Sequence, residues 1–318
     1  MIKTSTPKQV ACVGVGLIGH GWATLFAWKG YDVAIYDASD VSTRKALSRI
    51  KQNLVFLRKE GLLKRDSPEA CFRRIKVSKN IDDAVNNSQY IQESVYEKYK
   101  TKKEVFKMID RFAPRNAIIA SSSSTLKMSN IQKSADSPER CILVHPWNPT
   151  HLMPLVEIVA GKKTSKKTVG VTKEFMTKLG KVAIVQKKEV NGTIGNRLAA
   201  ALWREAIDLV YKGVVELEDI DKAVNAGPGM RWAVIGPHLS YHLGGGSGGI
   251  EYYLHHIGPT MASRWRSLAK WVAIPQAAEN KIVEGVKKTK ILQEKSIDDV
   301  VKWRDKRLAL LLKSLYNQ

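Results

Sequence analysis

The chain has few cysteines, few acids and no long apolar run, and each shortage excludes something. Three cysteines, Cys12, Cys71 and Cys141, stand among 318 residues without metal-ligand spacing. That argues against a disulfide-stapled fold and a cysteine-built metal centre. Reduced, buried thiols of a cytoplasmic protein are expected, and no metal site. No stretch reaches the ~18 consecutive apolar residues of a transmembrane helix. The start, Met1 to Gln9, is polar and has no apolar signal core. No membrane partner is expected. Acids number 30 against 52 Lys and Arg, a net charge of +22. Such charge attracts anionic ligands, nucleic acids and acidic membranes. The excess is spread over 44–79, 162–188 and 281–313, with no aromatic-interleaved basic motif and no helix-turn-helix. Solvated basic faces are expected, rather than a specific nucleic-acid site.

Hydrophobic residues make up 44% of the chain, enough for substantial cores and two domains. The most informative segment is residues 10–37. An apolar run enters Gly14-x-Gly16-x-x-Gly19, an apolar helical pattern follows, and a second run, Val33 to Tyr36, stops at Asp37. This is the layout of a dinucleotide-binding βαβ unit. Gly14 allows the tight turn, Gly16 the approach of a pyrophosphate, and Gly19 close packing of helix on strand. The helix start, with Leu17 and Ile18, offers unbonded amides. Asp37 is placed to accept from a ribose 2′-OH, which favours NAD over NADP.

Downstream, strand patterns alternate with helical ones. Strands are expected at 75–78, 90–95, 117–121, 141–144, 155–159 and 182–185, and helices at 40–60, 98–112 and 165–179, with a short helical piece ending at Arg73. The alternation predicts an α/β fold with a Rossmann-type doubly wound sheet, parallel at least in its first half. Near residue 190 the character changes. Apolar residues recur at helical spacing from Thr193 to Tyr211, and helical patterns dominate thereafter. The expected organisation is an NAD-binding domain over 1–188 and an all-helical domain over 189–318. Gly244 to Gly249 reads either as a flexible connector or as an anion-cradling loop, the connector being favoured.

Four residue types suit hydride transfer. A histidine takes the alcohol proton, a carboxylate fixes the histidine's tautomer, and neutral donors stabilise charge on the substrate oxygen. His145 follows a strand in His145-Pro-Trp-Asn-Pro149, Glu157 comes twelve positions later, Ser124 ends a serine run, and Asn196 opens a long helix. Spacing alone leaves each with an ordinary structural reading.

Taken in order, Gly14-x-Gly16-x-x-Gly19, Asp37, Ser124-Thr-Leu126, His145-Pro-Trp-Asn-Pro149, Pro154-Leu-Val-Glu157 and Gly195-Asn-Arg197 resemble the 3-hydroxyacyl-CoA dehydrogenase superfamily over nearly the whole length. The resemblance implies His145 as base, Glu157 as its orienting partner, and Ser124 and Asn196 as contacts to the substrate oxygen. It implies Glu97 and Lys102 near the cofactor ribose, Asn148 beside the nicotinamide, and a dimer formed through the helical domain.

The branch rests on the second half. Where acyl-CoA members carry Gly-Pro-Phe-Glu-Leu and a nearby aspartate, this chain has Leu239 and His242. That resembles the branch acting on free small hydroxy acids, the L-carnitine dehydrogenases and the lambda-crystallin-like L-gulonate 3-dehydrogenases. Arg231 is a candidate grip on a substrate carboxylate, its alternative a structural ion pair. Trp147, Trp203, Trp232, Tyr241 and Tyr252 are candidate faces for a quaternary ammonium, most of them equally readable as core. The basic residues of 44–79 keep an acyl-CoA substrate open. A carnitine-like 3-hydroxy acid is the expected substrate. Alternatives are an acyl-CoA, L-gulonate, a crystallin-like structural role without turnover, and a basic nucleic-acid binder. Leu308 to Leu312, with Val300, Val301 and Trp303, form an apolar face expected to meet a partner subunit.

Overall fold

The computed structural model describes residues 9–316; the polar start before Gln9, read above for a signal core, lies outside them. The chain forms two compact units. The first runs through Asn196 and takes up the chain again at Asp305, and the second is Arg197–Arg304.

The first unit is built on one eight-stranded sheet. Its strands are β1 (Gln9–Val13), β2 (Asp32–Tyr36), β3 (Ile75–Val77), β4 (Tyr90–Glu93), β5 (Ile118–Ser121), β6 (Cys141–Pro146), β7 (Leu155–Ala160) and β8 (Val182–Gln186). They lie in the order β3-β2-β1-β4-β5-β6-β7-β8. All neighbours from β3 to β6 run parallel, β7 runs antiparallel to β6, and β8 parallel to β7. The order reverses direction between β1 and β4, the switch point at which doubly wound sheets bind ligands. The N-terminal α/β reading holds, with the parallel half ending at β6.

The helices of this unit are α1 (Gly19–Trp28), α2 (Asp40–Lys59), α3 (Pro68–Phe72), α4 (Ile81–Val85), α5 (Tyr99–Phe112), α6 (Met128–Ile131), α7 (Lys166–Lys178) and the start of α8 (Ile194–Tyr211). α4 and α6, each four or five residues long, carry too little periodicity to be read in sequence. Two cores cover the sheet. Val10, Cys12, Val33 and Ile35 face Trp22, Phe26, Ile50, Leu54 and Phe175. Ala11, Val13, Ala34 and Ile91 face Val105, Phe106 and Ile109. The inner strands are thus apolar on both sides, as a parallel sheet under helices requires.

The second unit is helical among its described residues. Its glycine run is neither a flexible connector nor an open cradle. A Cβ on Gly245 would stand 1.8 Å from the Gly249 carbonyl oxygen, and one on Gly249 2.7 Å from the His242 ring. The Ile250 amide donates to His242 Nδ1. The run is a packed turn. Trp203, Trp232, Tyr241 and Tyr252 are all exposed, which removes the core reading for them. The final helix, Ile297–Tyr316, returns to the first unit, where Ala309 and Leu312 are buried in the core and Leu308 packs against it. Part of the apolar face expected to need a partner subunit is therefore covered within the chain, while Leu310 and Leu311 remain exposed.

Candidate active site

The glycine loop sits where β1 ends. Gly14 has φ +85°, and a Cβ there would come within 2.8 Å of the Ser94 and Val95 backbone, so both the turn and the neighbouring strand end demand glycine. A Cβ on Gly19 would lie 1.9 Å from the Gly14 carbonyl oxygen, which fixes α1 close under the loop. Gly16 is different. Nothing lies within 4 Å of where its Cβ would be, so the open side of the loop has room for a phosphate group. The amides of Gly16, Leu17 and Ile18 have no acceptor among the described residues, as an anion site at a helix start needs. Asp37 ties the loop to β2. Its Oδ2 accepts from the Val15 amide at 2.9 Å and its Oδ1 from the Ser39 amide at 3.0 Å. It is half-buried, and each carboxylate oxygen keeps a lone pair for a ribose hydroxyl. The residues present fit a dinucleotide.

The second cluster lies at the end of β6. The antiparallel register sets His145 directly opposite Glu157, and opposite residues in such a pair point to the same face. His145 Nδ1 lies 3.0 Å from Glu157 Oε2. Three more donors converge on the same carboxylate: Thr193 Oγ1 at 2.7 Å, Trp147 Nε1 at 3.2 Å and the Gly195 amide at 2.8 Å. Glu157 is fully buried. Burial pushes its carboxyl up, but the hydrogen bonds from His145, Gly195, Thr193 and Trp147 outweigh it and hold the group at about 2. A carboxylate ionised at neutral pH accepts a hydrogen bond from Nδ1–H, which leaves Nε2, without a partner among the described residues, as the basic nitrogen.

Thr193 escaped the sequence reading, because a threonine before a helix reads only as a cap. Trp147, expected at the substrate, has its indole N–H committed to Glu157, and its ring blocks any Cβ on Gly195 at 2.7 Å. The ring stays half-exposed, 6.5 Å from His145. Asn196 follows Gly195 on α8, where the first compact unit ends. Asn148 is exposed beside this cluster, followed by a cis bond to Pro149.

The four consecutive serines divide their tasks. Ser121 Oγ donates to Glu93, Ser122 Oγ joins Trp22, Gln92 and Ser94, and Ser123 Oγ donates to Glu97. Only the Ser124 hydroxyl has no partner among the described residues. Ser124 and Thr193 line the same small cavity, and Thr193 in turn bonds Glu157.

Two expected cofactor contacts are engaged by partners within the chain. Glu97 Oε1 gathers donors from residues 123–126. Burial raises its carboxyl, but Ser123, Thr125 and Lys102 hold it at about 2. One edge of its side chain remains exposed. Lys102 is only 1% exposed and bonded to Glu93 at 2.7 Å, so direct contact with a ribose is corrected to a supporting place behind Glu97. Arg231 is exposed on the helix Pro228–Val234 of the second unit.

Residues 9–190 match the NAD-binding domain of 3-hydroxyacyl-CoA dehydrogenase, and residues 192–303 match its C-terminal domain. The chain belongs to the 3-hydroxyacyl-CoA dehydrogenase family. It is an NAD-dependent dehydrogenase acting on a CH–OH group. It is 36% identical over 307 residues to an L-carnitine dehydrogenase of Streptomyces griseus, covering 96% of this chain and 90% of that one. It is 38% identical over 278 residues to one of Bacillus cereus, covering 87% and 84%. Among solved structures it resembles an NAD+-dependent 5-formyl-3-hydroxy-2-methylpyridine 4-carboxylic acid 5-dehydrogenase, with TM-score 0.83 and 27% identity, covering 97% of this chain and 98% of that one. No helix among the described residues is long and apolar enough to cross a membrane.

Proposed function

We propose that this chain oxidises the 3-hydroxyl of a free L-3-hydroxy acid, L-carnitine or a close analogue, to the ketone. The carrying observation is the His145–Glu157 pair, with Nδ1 bonded to a buried ionised carboxylate and Nε2 left to act as base. The similarity to carnitine dehydrogenases supports the substrate class.

Bound NAD supplies the hydride acceptor. Gly14, Gly16, Leu17, Ile18 and Gly19 would hold its pyrophosphate and Asp37 a ribose hydroxyl. Glu97, backed by Lys102, would lie near a ribose of the cofactor, and Asn148 beside the nicotinamide. His145 Nε2 takes the proton of the 3-hydroxyl while Glu157 stabilises the imidazolium that forms. Ser124 and Asn196 bond the substrate oxygen. Trp147 offers a ring face to the trimethylammonium group, and Arg231 is assigned to the carboxylate. We further propose a homodimer formed through the helical unit, working in the cytoplasm, where its three buried thiols stay reduced.

The test is NADH production across L-carnitine, 3-hydroxybutyrate, L-gulonate and 3-hydroxybutyryl-CoA, each with NAD and NADP. Turnover is expected on L-carnitine with NAD. A clear preference for the CoA ester, or for NADP, overturns the substrate class or the role of Asp37. Arg231→Met is expected to raise the carnitine KM roughly ten- to a hundredfold with kcat less affected, because a charge-assisted pair is lost.

A further inference from the structure

We propose that Glu93, a buried carboxylate at the end of β4, is a positioning residue that holds the Ser124 loop in place through Lys102 and Glu97. The proposal rests on the reading of Ser124 above.

Glu93 lies opposite Ser121 in the β4–β5 register, and its Oε2 accepts from Ser121 Oγ at 2.6 Å. Its Oε1 accepts from the Val95 amide and from Lys102 Nζ, both at 2.7 Å. Lys102 also donates to the Val95 carbonyl at 3.2 Å and stands 3.4 Å from Glu97 Oε2. The other oxygen of Glu97 accepts from the hydroxyls of Ser123 and Thr125 and from the amides of Ser124, Thr125 and Leu126. A continuous chain of contacts thus runs from the sheet to the loop that carries the Ser124 hydroxyl.

The charges explain the arrangement. One buried ammonium lies between two carboxylates. Glu93, fully buried, holds Lys102 at 2.7 Å and so keeps it 3.4 Å from Glu97. At that distance Lys102 attracts Glu97 without capturing it, and Glu97 Oε1 stays turned to the loop. A buried charge that loses its partner must find another. With Glu93 neutral, the remaining carboxylate within reach is Glu97, and drawing it inward takes the acceptor from five donors at once. The two acids also fix both flanks of the serine run, Ser121 and Ser123, which leaves Ser124 with a fixed amide and an unbonded hydroxyl.

Glu93→Gln tests this in the full chain, because it keeps the shape and removes the charge. Amide exchange reports the loop without any substrate. Exchange of the Ser124, Thr125 and Leu126 amides is expected to rise about tenfold or more while β1 and β6 stay protected. With the substrate that turns over, kcat is expected to fall roughly tenfold with KM within about twofold, since a displaced group costs rate rather than binding. NADH affinity is expected to hold within about threefold. In a Ser124→Ala background, Glu93→Gln is expected to add less than about a twofold further loss, because both changes act through one hydroxyl. Unchanged loop exchange, independent multiplying losses, or an NADH affinity that weakens in step with kcat overturns the proposal. Wild-type turnover in Ser124→Ala defeats the reading of Ser124 by itself, whereas loop exchange reports on the relay alone. Should Glu93→Gln not fold, Ser123→Ala frees the same loop with the buried ion pair intact, and the same non-additivity is expected.

Discussion

Glu157 works because four donors overcome its burial. Its carboxyl, held at about 2 against an ordinary 4.5, stays ionised throughout any practical assay, so the acid limb of a rate profile comes from another group. The stability it gives is fully present above the unfolded value and is lost as pH falls toward the folded one. His145→Ala is expected to lower kcat by about a hundredfold or more with NADH affinity unchanged, since the glycine loop is untouched. Glu157→Gln is expected to lose less, and to flatten the loss of melting temperature between pH 5 and 3. Stopped-flow turnover, NADH titration and thermal unfolding check all three. Lys181 is shifted the same way for a different reason, because burial disfavours its charged form. Its ammonium donates to the Thr150 and Met153 carbonyls at 2.6 and 2.7 Å, clamping the loop between His145 and Glu157. Burial and the neighbouring Lys29 push it down to about 7 from 10.5. Between those values the unfolded chain holds a proton that the folded chain does not, so stability rises with pH. The melting temperature of wild type relative to Lys181→Met is expected to increase from pH 7 to pH 10; a pH-independent difference counts against the shift.

At the scale of elements, the loop between β1 and α1 separates two uses of glycine. Gly19 has no room for a methyl group in the folded chain, whereas Gly16 has room. Gly19→Ala is therefore expected to destabilise the protein by about 1–3 kcal/mol, through overpacking. Gly16→Ala is expected to leave the melting temperature alone and to weaken NADH binding roughly tenfold or more, because the methyl group occupies the phosphate's side of the loop. Calorimetry and fluorescence titration distinguish the two. The β6–β7 pairing has a comparable role. Reversing strand direction after β6 sets the histidine and its carboxylate face to face; a parallel neighbour would place an intervening crossover between them.

At the scale of the whole molecule, the second unit buries little apolar surface. Ile207, Val210, Ala269 and Ala278 are buried there, while Leu198, Trp203, Val214, Trp265 and Val272 are exposed. So much exposed apolar surface on helices calls for a covering partner, and a second copy of the chain is the proposed one. Light scattering at micromolar concentration is expected to give twice the chain mass, with and without NADH. A monomer under both conditions refutes the dimer. The net charge of +22 makes salt a necessary control, because like-charged subunits repel more strongly at low ionic strength.

Local chemistry determined what could be read from the sequence. Strand periodicity and the glycine spacing are short-range constraints, so the βαβ unit, Asp37 and most strands and helices were legible. The motif order was enough to nominate His145, Glu157 and Ser124. Tertiary structure decided the rest, because it depends on pairing between distant segments. Only the antiparallel register brings Glu157 to His145, and only the approach of Thr193 and Gly195 gives that carboxylate its full set of donors. Glu93, Lys102 and Lys181 are ordinary charged residues in sequence. Burial beside specific partners gives them their places, and burial is a property of the packed chain.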